Sequence, residues 1–543
     1  MRSILVYSLI AIGLFSHALS QTSAESPNII VIMADDLGFS DLGCYGGEIR
    51  TPHLDALAAD GIRFTQFYNG SRCSPSRASL LTGLYPHQAG LEKNGKSLST
   101  NAITLPEILQ MNGYHTGMTG KWHLSQTVFL GGKAYAPQHI DWLSHQIQHS
   151  PFGKLESYPS NRGFDEHFGV IWGVVDYFDP FSLVHNEAPI TEVPEDFYLT
   201  DFISDKTISL IDDFSKDDDP FFLYVAYTAP HWPLHAKPED IARYQGYYDE
   251  GWDALRRQRY ERQIAMGLFD PVSTPLATNE SGKIWKDCGD KVWEADHMEV
   301  HAAMVDCMDQ GIGRIIDQLK KVGEYENTII VFLADNGASP ERGGKPGYDR
   351  PATTRSGDTI LYSSDHYDRP GSERTFGYLG QPWAGALNAP FRYWKAKSYE
   401  GGICTPMIIH WPKGNLPNKG GLIRQPGHVM DIMPTCLELA HAKHPDTFKG
   451  KEVHDMEGIS LIPLLEGQPW VGHTFLGFDH ARSSAGRMGD WKIAATKNQN
   501  WELFYLKENR TETYDLSEKY PDKKAELIKK WEEWMERMKH YYE

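Results

Sequence analysis

Short, continuously apolar runs recur along this chain, and helical patterns separate them. Residues 28–33, 221–227, 328–333 and 407–411 are rich in Ile, Val and aromatics and close on Asp, Asn or Pro, which reads as buried strands. A strand apolar on both faces must be covered on both, so these runs predict a parallel sheet. Helical patterns fall at 51–61, 75–82, 105–111, 201–214 and 299–321. The alternation predicts an α/β fold: a doubly wound, mostly parallel sheet flanked by helices. Two stretches, 268–291 and 339–389, are rich in Gly, Pro and charge without periodicity and read as long loops, which in compact domains are usually functional or mobile. Toward the C-terminus, apolar pieces at 474–478, 491–495 and 502–505 are separated by turn residues, and an amphipathic helix follows at 522–538. These predict a smaller antiparallel sheet with a closing helix. A chain of 543 residues exceeds what one core usually serves. The expected division is 21–430 for the α/β domain and 431–543 for the C-terminal unit.

Residues 1–20 have the anatomy of a secretory signal peptide: Arg2, an apolar stretch over 4–15, and small residues ahead of Gln21. A periplasmic or secreted protein cleaved near Ser20 is expected. No later run reaches the roughly 18 apolar residues of a membrane span, so no membrane partner is expected. With 72 acidic against 53 basic side chains the formal charge is −19, which argues against broad nucleic-acid binding. The six cysteines, Cys44, Cys73, Cys288, Cys307, Cys404 and Cys436, form no C-x-x-C pair and are too sparse for a disulfide framework. Buried free thiols, with room for one bridge, are expected.

Ligands of open parallel sheets bind outside the carboxyl ends of the strands. After 28–33 comes Ala34-Asp35-Asp36-Leu37-Gly38, and after 328–333 comes Ala334-Asp335-Asn336-Gly337. Either motif alone is also a turn former. At matching strand ends, Asp35, Asp36, Asp335 and Asn336 would need a cation between them, and an all-oxygen set suits Ca²⁺ or Mg²⁺ rather than zinc. Other strand ends carry Lys121 and His123 after 114–119, His231 after 221–227, and Lys395 ahead of 407–411. In a chain of charge −19 this placement points to a pocket for an anion, although a lone Lys or His is commonly just surface. Cys73-Ser74-Pro75-Ser76-Arg77 opens a helix, with Ser74 as the expected N-cap and Pro75 as the first helical residue. Cys73 then faces the positive end of the helix dipole, where a thiolate is favoured, with Arg77 one turn on. The motif reads as an activated nucleophile for ester hydrolysis or as a buried structural Cys.

Cys73-x-Pro75-x-Arg77, followed by Ser79-Leu80-Leu81-Thr82-Gly83, resembles the signature of formylglycine-dependent type I sulfatases of the alkaline-phosphatase superfamily. The likeness continues in family order through Asp35-Asp36-Leu37-Gly38, Thr51-Pro52-His53-Leu54-Asp55, Gly120-Lys121-Trp122-His123, Pro230-His231-Trp232-Pro233, Asp335-Asn336-Gly337 and Glu400-Gly401-Gly402. Residues 34–47 and 391–412 look most like bacterial arylsulfatases. The resemblance implies conversion of Cys73 to formylglycine by a formylglycine-generating or anaerobic sulfatase-maturing enzyme, with the hydrated aldehyde as nucleophile. It implies one Ca²⁺, in preference to Mg²⁺, held by Asp35, Asp36, Asp335, Asn336 and the modified Cys73. It further implies that Asp335 assists deprotonation of the attacking hydroxyl, and that Arg77 and Lys121 steady the modified residue. Lys121 and Lys395 would neutralise the sulfate, His231 would protonate the leaving alcohol, and His123 would take the second hydroxyl's proton. One position departs: Cys404 stands where the family often has Arg after Glu-Gly-Gly-Ile, which puts substrate fit or packing there in question. Two other readings stay open, a phosphonate or phosphodiester hydrolase of the same superfamily and a non-catalytic binder of sulfated glycans. The substrate, a sulfated carbohydrate or aryl sulfate, would be read by loops, with Trp172, Asp176, His185 and Trp383 as candidate contacts.

Overall fold

Seven strands make the centre of the main sheet: β1 (Asn28–Ala34), β2 (Ile62–Tyr68), β3 (His115–Lys121), β4 (Glu166–Val170), β5 (Phe221–Ala226), β6 (Thr328–Ala334) and β7 (Cys404–His410). The computed structural model describes residues 26–145, 151–362, 365, 367, 369–414, 416–480 and 483–541; the segment read as a signal peptide lies outside them. The strand order is β2-β7-β6-β1-β5-β3-β4, and β6, β1, β5, β3 and β4 run parallel. β7 is antiparallel to both neighbours. It is buried along its whole length all the same, because continuous apolarity reports burial on both faces rather than strand direction. Ala34 pairs with Ala334 in register, so the residues that follow β1 and β6 emerge side by side.

Helices cover both faces. α1 (Pro52–Asp60), α4 (Leu199–Phe214) and α6 (Lys291–Val322) pack together on one side, while α2 (Cys73–Thr82), α3 (Leu105–Met111) and the helix at Ile432–Leu439 pack on the other. α5 (Gly251–Ala265) packs on α7 (Gly380–Leu387). Two boundaries differ from expectation. α2 begins at Cys73 with Arg72 as its N-cap residue, and Ser74 does not cap it but donates through Oγ to His123 O at 2.8 Å. α6 begins at Lys291 because the Asp290 side chain accepts from Trp293 N at 3.0 Å, a cap hidden in the charged stretch read as loop. The 339–389 segment likewise holds two paired strands, Leu361–Tyr362 and Thr375–Phe376, as well as α7.

The C-terminal sheet has four antiparallel strands, β8 (Leu476–His480), β9 (Ser483–Met488), β10 (Trp491–Thr496) and β11 (Glu502–Tyr505), and α8 (Pro521–Lys539) packs on it. β9, Ser-Ser-Ala-Gly-Arg-Met, carries too little apolar alternation to be read as a strand. Buried ion pairs bolt this unit to the turn at Glu400: Lys492 Nζ lies 2.8 Å from Glu400 and 2.7 Å from Glu512, and Arg510 also reaches Glu400. All six cysteines are free. No helix among the described residues is long and apolar enough to cross a membrane.

Candidate active site

Asp35 and Asp36 follow β1, and Asp335 and Asn336 follow β6, so four oxygen-bearing side chains meet at adjacent strand ends. All are buried. Asp36 has a left-handed backbone (φ 66°), a conformation Asp tolerates better than most residues. Gly337 has to be small: a Cβ there would sit 1.9 Å from Gly401 O, which is how the Asp-Asn-Gly and Glu-Gly-Gly turns pack backbone to backbone. Ligand atoms of Asp35, Asp36, Cys73 and His231 lie within 4.8 Å of one another. Asp35 Oδ1 and Asn336 Oδ1 are buried without a hydrogen-bond partner, although Arg77 Nη2 stands 3.6 Å from the former. Such orphaned acceptors are costly unless something positive completes them, and an all-oxygen donor set fits a hard divalent cation.

Cations ring this floor. Lys121, the last residue of β3, bonds Asp35 Oδ2. Arg77 in α2 grips Asp335 Oδ2 through Nε (3.1 Å) and Nη2 (2.8 Å), and its Nη1 donates to Lys121 O at 3.0 Å. Lys395 Nζ lies 2.8 Å from Asp36 Oδ2 and 3.2 Å from His231 Nε2. His231 Nε2 is itself 3.3 Å from Asp36 Oδ2. His123 is seated by Gly173, where a Cβ would meet its ring at 2.3 Å, and its Nδ1 has no partner.

Titration follows from burial and neighbours. Burial drives the Cys73 thiol well up; Lys121 and Lys395 oppose this, and Asp35 and Asp335 add to it. The thiolate expected from the helix dipole is therefore not the resting form: a buried thiol beside two carboxylates keeps its proton. Burial, reinforced by Asp35, raises Asp335 to about 7. Burial also works to raise Asp36, but His231 and Lys395 outweigh it and hold its carboxyl low. Burial lowers His231 to about 3 despite Asp36, and burial together with Lys121 and Arg77 takes His123 well below its ordinary value. Both imidazoles rest neutral.

The Sulfatase family model matches residues 27–442. The chain belongs to the sulfatase family. An uncharacterized sulfatase of Schizosaccharomyces pombe is 33% identical over 569 aligned positions, covering 94% of each chain. An arylsulfatase of Klebsiella aerogenes is 33% identical over 474 positions, 83% of this chain and 93% of its own. Among solved structures, Ps i-CgsB in complex with k-i-k-neocarrahexaose matches with a TM-score of 0.64 at 26% identity, over 94% of this chain and 92% of that one. This sulfatase is accordingly a sulfuric ester hydrolase of the alkaline-phosphatase superfamily.

All ten residues picked from the sulfatase's sequence converge on this one sheet edge: Asp35, Asp36, Cys73, Arg77, Lys121, His123, His231, Asp335, Asn336 and Lys395. The loop candidates fare differently. Trp383 is fully buried in α7 against Trp252 and Trp285, and Trp172 is buried among Trp142 and Phe181, so both are core. Asp176 is buried beside His235, and His185 pairs with Glu166 at 2.8 Å. Cys404 is explained by packing: its Sγ lies 3.3 Å from an Arg510 guanidinium nitrogen, so a C-terminal arginine occupies this neighbourhood. Asn388 was missed. It is fully buried, its Oδ1 accepts from Phe39 N (3.4 Å) and Ala338 N (3.1 Å), and its Nδ2 donates to Tyr393 O (3.2 Å). One side chain thus ties together the Asp35-Asp36 loop, the Asp335-Asn336 loop and the segment carrying Lys395. No local pattern marks it; only its position between Leu387 and Pro390, ahead of Lys395, could have drawn notice.

Proposed function

We propose that this sulfatase hydrolyses sulfate monoesters of carbohydrates through a formylglycine hydrate formed at Cys73, with one Ca²⁺ held by Asp35, Asp36, Asp335 and Asn336. The observation that carries this reading is the cluster of Asp35, Asp36 and Cys73, with buried oxygens of Asp35 and Asn336 that lack hydrogen-bond partners, among Arg77, Lys121 and Lys395. Bound there, a divalent cation supplies Lewis-acid polarisation of the sulfate and acidifies a neighbouring hydroxyl.

One hydroxyl of the hydrate attacks sulfur, a new S–O bond forms, and the ester S–O bond breaks as the alcohol departs. Asp335 is the group assigned to accept the attacking hydroxyl's proton. His231 rests neutral; an anionic ester against its Nε2 stabilises the imidazolium, so substrate binding itself loads the acid that protonates the leaving oxygen. Lys121 and Lys395 meet the negative charge of the sulfate. Neutral His123 then takes the proton of the second hydroxyl, the carbonyl re-forms, sulfate leaves, and water rehydrates the aldehyde. A Ser at this position could not expel the sulfate without an external water, which is the chemical reason for an aldehyde. The resting Cys73 thiol, kept protonated by its surroundings, fits a residue used only after modification.

The carbohydrate assignment is supported by the oligosaccharide complex of Ps i-CgsB, and export is proposed from the N-terminal apolar stretch. The test is a rate comparison on one preparation of known aldehyde content, using sulfated sugars, nitrophenyl sulfate and a phosphonate monoester. Release of sulfate from a sugar ester, faster than phosphonate cleavage, is expected. Faster phosphonate cleavage would overturn the assignment.

A further inference from the structure

A carboxylate stands where an anion pocket would be better without one. Glu341, five residues past Asn336, lies 2.7 Å from Arg72 Nη1 through Oε1, while its Oε2 accepts from Trp232 Nε1 at 2.9 Å. The same oxygen is 3.6 Å from Lys395 Nζ and 3.4 Å from Ser339 Oγ. A negative charge beside Lys395 weakens the pull of the site on sulfate. Its position gives it a different use. Arg72 directly precedes Cys73, and Trp232 directly follows His231, the group assigned to the leaving oxygen. Through Trp232 and Lys395 the pair therefore lies next to His231, the group assigned to the alcohol side of the ester. Both side chains keep an open edge, 21% exposed for Arg72 and 30% for Glu341. A carboxylate that accepts, a guanidinium that donates and an indole beside them form the complement of a sugar hydroxyl, which both donates and accepts.

We propose that Glu341 with Arg72 is a specificity-determining pair that reads a free hydroxyl on the carbon next to the one bearing the sulfate. The substrate is then a sugar sulfate unsubstituted at that neighbouring carbon. A second sulfate there would meet the Glu341 carboxylate, and an aryl sulfate offers no hydroxyl to it. The inference rests on the carbohydrate reading above and narrows it.

The test uses the sugar sulfate regioisomer that the enzyme hydrolyses fastest, its analogue deoxygenated at the adjacent carbon, and nitrophenyl sulfate. Loss of one satisfied polar contact at a partly exposed site costs about 10–100-fold in kcat/KM, so the native enzyme is expected to favour the free-hydroxyl ester over the deoxy ester by that factor. Glu341→Ala is expected to shrink the preference at least tenfold, and Glu341→Gln, which keeps the shape of the side chain, to shrink it less. An equal fall on all three esters in both variants would overturn the proposal, because it would mean that Glu341 only positions Lys395. Equal native rates on the free-hydroxyl and deoxy esters would overturn it as well. A native enzyme that releases sulfate from none of the three contradicts the sulfatase chemistry itself, a separate and recognisable failure.

Discussion

Asn388 shows what single residues contribute beyond the reacting set. Its carboxamide holds the two acidic loops at fixed separation, yet it touches no reacting atom, so it acts as a positioning residue. Residues that orient ligands typically account for about 10–100-fold in metal affinity. If the site holds Ca²⁺ as proposed, Asn388→Ala is expected to weaken its binding by that factor in isothermal titration of the metal-free protein; an unchanged dissociation constant would show that the loops hold their places without it. The acids and cations of the site were legible because polar side chains at the ends of apolar strands have few structural uses. Asn388 and Glu341 were not, because each acts through the tertiary meeting of loops distant in sequence. The protonation of Cys73 stayed open in the sequence for a related reason. The helix dipole is a local effect readable from Pro75 onward, whereas burial and the carboxylates of Asp35 and Asp335 come from elsewhere in the chain.

Helix α6 organises its surroundings in the same non-local way. Asp309 on this helix accepts from the backbone N–H groups of His53 (3.1 Å) and Leu54 (2.8 Å), capping α1 from outside its own sequence. Burial nonetheless raises its carboxyl to about 7, against the pull of those two amides. The folded state thus binds this proton more tightly than the unfolded chain, where Asp titrates near about 3.9. Its contribution to stability is complete below about pH 4 and is lost as pH rises through about 7. Asp309→Asn removes the titration and keeps an acceptor for α1. Urea unfolding at pH 4.5 and 7.5 is expected to show a loss of stability between the two that is smaller by about 3 kcal/mol in the variant; parallel losses would contradict this role. β1, β5, β6 and β7 were readable from their apolar runs, whereas β2 and β4 were not, and the start of α6 depended on the Asp290 cap, in a segment without periodicity.

For the molecule as a whole, the small C-terminal sheet is a structural support of the site. Lys492 on β10 is fully buried between Glu400 and Glu512, and Glu400 heads the Glu-Gly-Gly turn that packs on Gly337. Removing the lysine leaves Glu512 buried without this cation and Glu400 with Arg510 alone, a loss of about 3–5 kcal/mol. Lys492→Ala is expected to lower the denaturation midpoint accordingly, and a shift smaller than about 1 kcal/mol would mean that water or Arg510 compensates. The sequence pattern separates the two sheets clearly, but the ion pairs joining them are invisible without the fold. The central claim, hydrolysis by an aldehyde at position 73, is tested most directly by mass spectrometry of the peptide containing Cys73 in preparations of graded activity. The fraction of peptide in which the thiol is replaced by an aldehyde is expected to rise in proportion to kcat per total protein. Full sulfatase activity in a preparation whose Cys73 is entirely thiol would contradict it.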